Sequence, residues 1–200
     1  MRLAAALTLT LLAAASPPLT AQEPPTGAPN KPGVQAPLLD TFRIGQVVVA
    51  FERTPLDSLR RTFGAGQIRE TGDAGDYRAT LCYTLPDSLA PSRLRLASTE
   101  MGGSAKAVMS LELDLLSVAV PSRECPALAG IRLGLPHGLR LLQARAEVLR
   151  LLGPPKRTSG STLVYESETH DGEWTTECAI DVVLRGGRVV SVHARRMTSN

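Results

Sequence analysis

"ARAEVLRLLGPP" (Ala144–Pro155) has an earlier counterpart in "TPLDSLRRTFGAG" (Thr54–Gly66). Apolar residues recur in each stretch at three- and four-residue intervals, which predicts a short amphipathic helix. These positions are Leu56, Leu59 and Phe63 in the earlier stretch and Val148, Leu151 and Leu152 in the later one. A glycine follows each helix, Gly64 or Gly153, and is expected to supply the left-handed backbone that lets the chain reverse into a strand.

The elements that follow each helix also occur in the same order. A β-rich run containing a tyrosine, Tyr83 or Tyr165, comes first, and two further β-rich runs then flank a glycine turn, EMGG or RGGR. This repetition predicts an α+β fold in which two tandem helix-plus-antiparallel-sheet modules, residues 39–122 and 130–200, pack as one domain. The sequence leaves open whether the two modules form one continuous sheet or two facing sheets.

A family resemblance rests on the string LRLLQARAEVLRLLGPPKRTSGSTLVYES, which an amphipathic strand, GGRVV and a last strand follow. This part of the chain resembles the SmpA/OmlA (BamE-like) family of bacterial envelope proteins. The matching residues are Glu147, Val148, Leu151, Leu152, Gly153, Pro155 and Tyr165. Two such units in tandem are similar to the secreted β-lactamase-inhibitor protein, and that likeness implies a sheet that grips a protein partner.

The N-terminus has the pattern of a secretory signal peptide, residues 1–21, with cleavage expected after Ala21. One positive charge precedes an apolar run from Leu3 to Ala15, and this run is shorter than the roughly 20 residues that span a bilayer. Residues 22–38 are rich in proline and glycine, which predicts a disordered linker. We therefore expect a periplasmic or secreted protein that does not span the membrane and, without a cysteine near the cleavage site, carries no lipid anchor.

The composition is that of an ordinary globular domain, with 43% hydrophobic residues, 20% charged residues and a formal net charge of +3. The basic residues are spread along the chain and alternate with acidic ones. Because no basic run is dense enough to follow a phosphate backbone, a nucleic-acid partner is not expected.

Three cysteines in an oxidising compartment allow one disulfide and leave one thiol over. In YRATLCYTL, Cys82 alternates with the apolar residues and so belongs to the more polar face of its strand, whereas Cys178 shares the apolar face of the TTECAIDVVL strand. Cys125 lies in a proline-flanked loop that is free to approach a strand. The pattern favours a Cys82–Cys125 bridge, with Cys125–Cys178 and Cys82–Cys178 as alternatives.

The sequence contains no recognisable catalytic, cofactor-binding or metal-binding pattern, so we expect a non-enzymatic protein without a cofactor. The run ETHDGEW is predicted to be a hairpin loop, although its acidic residues and histidine could ligate a cation. Exposed loop tips are the expected partner contacts: Glu100, Met101, Gly102, Gly103, His170 and Trp174.

Together these features predict a secreted or periplasmic interaction module of the bacterial cell envelope, which binds an unidentified protein through a sheet face and hairpin loops. The alternative is a metal- or small-ligand-binding envelope protein, or an enzyme, that uses the Glu168–Glu173 loop. The sequence indicates neither the partner nor the oligomeric state.

Overall fold

A computed structural model of the chain describes residues 39–73, 75–86 and 90–200. The predicted signal peptide (1–21) and the predicted linker (22–38) lie outside the described residues.

The described chain is built mainly from β-strands. The elements, in chain order, are β1 (Thr41–Ile44), β2 (Val47–Ala50), α1 (Leu56–Phe63), β3 (Arg69–Thr71), β4 (Arg78–Leu85), β5 (Ser92–Thr99), β6 (Ser110–Leu115), β7 (Leu133–Gly134), α2 (Arg145–Leu152), β8 (Arg157–Ser159), β9 (Thr162–Asp171), β10 (Trp174–Arg185) and β11 (Arg188–Ser199). Single 3₁₀ turns lie at Glu100–Gly102 and Pro136–Gly138.

Eight strands form one continuous antiparallel sheet in the order β3-β4-β5-β6-β11-β10-β9-β8. Strands β6 and β11 pair at its centre, where Leu113 lies opposite Val192. A second sheet, β2-β1-β7, has three short strands, and a tight turn at Gly45 joins β1 to β2.

The predicted fold class, two helix-plus-sheet modules, is wrong, because sheet dominates the structure. Each of the two α-helices in the described chain has only eight residues. The prediction also missed the second sheet. Helix periodicity is a local signal, whereas strands this short or this polar are stabilised by partners that are distant in sequence.

One face of the large sheet is buried and is termed the packed face. Its side chains alternate along each strand with those of the other face, as the two-residue period of a strand requires. They include Leu81, Tyr83, Leu94, Leu96, Leu111, Leu113, Leu163, Tyr165, Cys178, Ile180, Val182, Val192 and Ala194. Phe42 of β1, Leu59 of α1 and Val148 of α2 belong to the same hydrophobic core, so the helices and the small sheet cover this face.

The two tyrosines fasten the helix ends to the sheet. The hydroxyl of Tyr83 donates to the carbonyl of Ala65, just after α1, and that of Tyr165 donates to the carbonyl of Gly153, just after α2. Both bonds satisfy backbone carbonyls where a helix ends. The ring of Phe63 packs edge-on against Tyr83, with centroids 5.6 Å apart, and burial raises the pKa of Tyr83 to about 12.

The predicted disulfide is confirmed, since Cys82 is bonded to Cys125 with their Cα atoms 4.7 Å apart. The bond holds the segment after Cys125 along β4. There Thr84 donates its backbone N–H to Pro126, and Leu128 donates its own to Thr84, both at 2.9 Å. Because β3 pairs only with the first three residues of β4, this segment covers the strand edge that β3 leaves unpaired.

Cys178 is a free thiol in the hydrophobic core, on the packed face as its position in the strand predicted. The predicted glycine turn at RGGR is also confirmed. Gly186 and Gly187 have φ angles of 57° and 75° and join β10 to β11. Both angles lie in the left-handed region that a tight hairpin turn of this kind requires.

Candidate functional site

The second face of the large sheet is lined by polar and charged side chains and is termed the open face. Its residues are Thr80, Arg93, Arg95, Glu112, Asp114, Glu166, Asp181, Ser191, His193 and Arg195. The exposed fraction of the ion-paired side chains ranges from 19% for Asp114 to 51% for Arg195. Solvent therefore reaches this face, in contrast to the packed face, where the side chains are buried.

The open-face charges lie opposite one another across the central strands. Arg95 on β5 faces Glu112 on β6, which faces His193 on β11, which in turn faces Asp181 on β10. Directly opposite side chains on one sheet face lie close enough to interact. A row of ionisable side chains thus crosses four strands.

Asp114 is the centre of the hydrogen-bond network on this face. Its carboxylate accepts hydrogen bonds from the guanidinium of Arg93 at 3.0 Å, from that of Arg95 at 3.2 Å and from the hydroxyl of Ser191 at 2.9 Å. Arg95 also pairs with Glu112. These bonds hold both arginines in fixed positions.

His193 is the histidine of this row. It lies 3.8 Å from a carboxylate oxygen of Asp181, and its side chain is 35% exposed. Burial of the imidazole lowers the pKa of His193 below its ordinary value of 6.5. The negative charges of Asp181 and Glu112 raise this pKa, and the positive charges of Arg195 and Arg78 lower it. The net shift of the pKa remains downward. The neutral imidazole is therefore favoured in the folded state.

We expect His193 to make the folded protein less stable in acid. The unfolded chain takes up a proton as the pH falls through 6.5, while folded His193 resists protonation. This contribution to stability is complete above pH 6.5 and decreases as the pH falls from there through the lowered folded pKa. The measurement is the urea-derived free energy of unfolding from about pH 8 to about pH 5.

His193→Gln should remove this part of the pH dependence. His170→Gln is the matched control, because the side chain of His170 is 66% exposed. Identical pH profiles for wild type and His193→Gln would show that the imidazole does not contribute.

Both predicted loop tips lie at the same end of the large sheet. The first, Glu100–Gly103, follows β5, and the second lies in the long β9–β10 hairpin, which extends beyond β6. Met101 and Trp174 are each 52% exposed. Both tips therefore lie beyond one end of the sheet, and in the second tip His170 alternates with Glu166 and Glu168 on the open side, whereas Trp174 alternates with Thr176 and Cys178 on the packed side.

The residues of the first tip differ in how much of their surface is exposed. Glu100 and Gly103 are exposed, and Glu100 accepts a hydrogen bond from the backbone of Gly75 at 2.7 Å. Gly102 is buried instead, and a Cβ atom there would lie 1.9 Å from the hydroxyl oxygen of Ser98. Gly102 thus serves close packing, and the exposed contact surface of this tip is formed by its neighbours.

The run ETHDGEW is not one loop. Glu168, His170 and Asp171 belong to β9, Trp174 begins β10, and only Gly172 and Glu173 form the turn. His170 contacts Glu168 at 3.1 Å and the hydroxyl of Thr175 at 3.0 Å. Within the described ranges, no group of three or more histidine, cysteine, aspartate or glutamate side chains could hold a metal ion.

Sequence reasoning did not identify the charged residues of the open face. The signal was present in RLRL (Arg93–Leu96) and SLELDL (Ser110–Leu115), where polar residues, most of them charged, alternate with leucine. Such alternation predicts a strand with one buried and one solvated face. It cannot show which charges face each other, because that depends on the order and register of the strands.

No helix in the described part of the chain is long and apolar enough to cross a membrane. Comparisons with protein-family models, with curated proteins and with solved structures found no match to this chain.

Proposed function

We propose that this chain is a secreted or periplasmic, non-enzymatic interaction module of the bacterial cell envelope, which binds a protein partner through the open face and the adjoining tips. The observation that carries the proposal is the Asp114-centred network on a solvent-accessible sheet face. Fixed charges of both signs select a partner of complementary charge, and they speed its approach.

The dimensions of the open face suit a protein rather than a small molecule. The six strands with more than five residues, spaced about 4.8 Å apart, give a width of about 24 Å, and five residues along a strand give a length of about 17 Å. The product, about 400 Å², is about half of the roughly 800 Å² that one partner buries in a standard interface. Contacts at His170, which lies on the open side of β9 and has a side chain that is 66% exposed, would extend this area.

Two further features support the envelope assignment. The disulfide requires an oxidising compartment to persist, and the N-terminal pattern predicts export. The resemblance of the Glu147–Tyr165 segment to the SmpA/OmlA (BamE-like) family implies the same compartment. The single-module, lipid-anchored form usual in that family is not part of the proposal.

Site-specific photo-crosslinking in producing cells tests the proposal. A photo-reactive amino acid at the position of Val183, which lies opposite Ser191 on the open face and is not part of the Asp114-centred network, should form a discrete cross-linked product with a protein partner. The matched control places it at Arg150, which is exposed on α2, away from the open face. Equal cross-linking at both positions, or none at Val183, would contradict the proposal.

Charge reversal supplies the second part of this test. Arg195→Glu changes an exposed side chain whose only ion pair in the described chain, with Asp181, is as long as 3.7 Å, so the fold should tolerate it. We expect recovery of the Val183 cross-linked partner to fall by about tenfold. Arg150→Glu makes the same charge change away from the face and should leave recovery unchanged.

A further inference from the structure

A cavity of about 590 Å³ lies at the end of the sheet opposite the two tips. It is bounded on one side by the ends of β4, β5 and β6 and on the other by β7 and the segment that follows it. Its volume lies within the roughly 300–1,000 Å³ typical of small-molecule sites. The walls include Leu113, Leu133, Leu139, Leu141, Arg132 and Arg140.

The outer wall of this cavity is held in place by a buried glutamine. Gln143, only 6% exposed, accepts a hydrogen bond from the backbone of Arg140 and donates one to the carbonyl of Gly138. Backbone bonds also tie this segment to β11. The N–H of Leu142 donates to the carbonyl of Val189, and the N–H of Val189 donates to the carbonyl of Gln143. The wall is therefore fixed independently of any ligand, as a preformed pocket requires.

Two arginines border this apolar space. Arg132 and Arg140 are both exposed, and their backbones are anchored, the first through a hydrogen bond from Gly45 and the second through Gln143. In the part of the chain that the structure describes, neither guanidinium has an ion pair. A guanidinium is a strong and always charged donor for a carboxylate.

The lining restricts which chemical groups of a ligand can enter the cavity. Apart from Ser92 and the two arginines, its side chains are aliphatic. A peptide in this cavity would bury backbone N–H and C=O groups with few partners, and each unpaired group costs free energy. An alkyl chain carries no such groups and gains from burial against the leucines.

We propose that this cavity binds a single-chain anionic amphiphile, namely a fatty-acid carboxylate. Its alkyl chain lies among Leu113, Leu133 and Leu139, and its carboxylate meets Arg132 and Arg140. This site is separate from the open face, so a ligand in the cavity leaves the proposed protein contact accessible.

Fluorescence titration of the purified full chain with a dansyl-labelled undecanoate, followed by displacement with laurate, tests the proposal. We expect saturable one-to-one binding that laurate displaces. The paired substitution Arg132→Ala and Arg140→Ala should weaken laurate binding by about tenfold or more, because a charge-assisted pair is lost. Lauryl alcohol, which has the same chain without the charge, should be affected by less than about twofold.

Two control variants make the outcome decisive. Arg150→Ala removes an exposed arginine remote from the cavity and should leave both affinities unchanged, whereas Leu141→Trp fills the cavity and should weaken laurate and lauryl alcohol alike. Unfolding midpoints confirm that each variant is folded. The proposal is overturned by an absence of saturable binding, by equal weakening of laurate and lauryl alcohol in the double arginine variant, or by displacement with a leucine-terminated peptide but not with laurate.

Discussion

Replacing Cys82 and Cys125 together by serine is expected to lower the free energy of unfolding by about 4 kcal/mol. The disulfide spans a sequence separation of 43 residues, and closing a loop of this length removes a large chain entropy from the unfolded state. Without the disulfide the folded state is also less stable, because the segment at Cys125 then covers the edge of β4 less firmly. Urea unfolding of the oxidised protein measures the change.

Reduction gives an independent check of the disulfide. Dithiothreitol should destabilise the wild type to about the level of the double serine variant and should leave that variant unchanged. Cys178→Ala is the matched control, since it removes a cysteine that forms no disulfide bond. That variant should lose only packing energy and should remain sensitive to dithiothreitol. A double serine variant within about 1 kcal/mol of the wild type would contradict the entropic argument.

Glu52→Ala is expected to lower the free energy of unfolding by about 3 kcal/mol. The carboxylate of Glu52 accepts hydrogen bonds from Arg196 at 2.7 Å and from both the backbone and the hydroxyl of Thr198. It thereby ties the end of β11 to the turn after β2. Removing it leaves three donors without this acceptor, and the cost is moderated because Arg196 keeps its bond to Asp40.

The electrostatics of the Glu52–Arg196 pair also indicate that it stabilises the fold. Burial opposes the charge on Arg196, but the hydrogen bond and negative charge of Glu52 outweigh burial and hold the pKa of Arg196 above its ordinary value. Only 20% of each side chain is exposed, so solvent screens the interaction weakly. This network therefore contributes more stability than an exposed ion pair does.

Two further variants distinguish the contribution of the Glu52 carboxylate from that of the strained Glu52 backbone and from that of an exposed ion pair. Glu52 has a φ of 62°, which costs any residue with a Cβ atom about 1–2 kcal/mol. Glu52→Gly relieves this strain and should be less destabilising than Glu52→Ala. Glu124→Ala breaks an exposed pair with Arg69 and should cost no more than about 1 kcal/mol. Equal losses from Glu52→Ala and Glu124→Ala would disprove the special role of Glu52.

Arg93 and Arg95 illustrate how far sequence reasoning reached. The alternation in RLRL shows that Arg93 and Arg95 share one face of their strand. Their acceptor Asp114 lies on another strand and Ser191, which also bonds to Asp114, lies on a third. Pairing between strands so far apart in sequence depends on the strand order, so the candidate site could not be assembled from the sequence.

By itself, the sequence determined the features that depend on a few neighbouring residues. The alternation of side chains along β4 and β10 placed Cys82 and Cys178 on opposite types of face, and on that basis the correct disulfide was chosen. The paired glycines at Gly186 and Gly187 likewise predicted their hairpin turn, because only certain residues adopt its backbone angles readily.

Only the tertiary structure decided that sheet rather than helix dominates, that the eight strands are continuous, and that Glu52 meets Arg196 across the fold. It alone also formed the leucine-lined cavity beside Arg132 and Arg140. The physical reason is that these features are contacts between segments distant in the chain. Their free energy arises from joint burial and cross-strand pairing once all the segments have assembled, and no local pattern of residues contains that information.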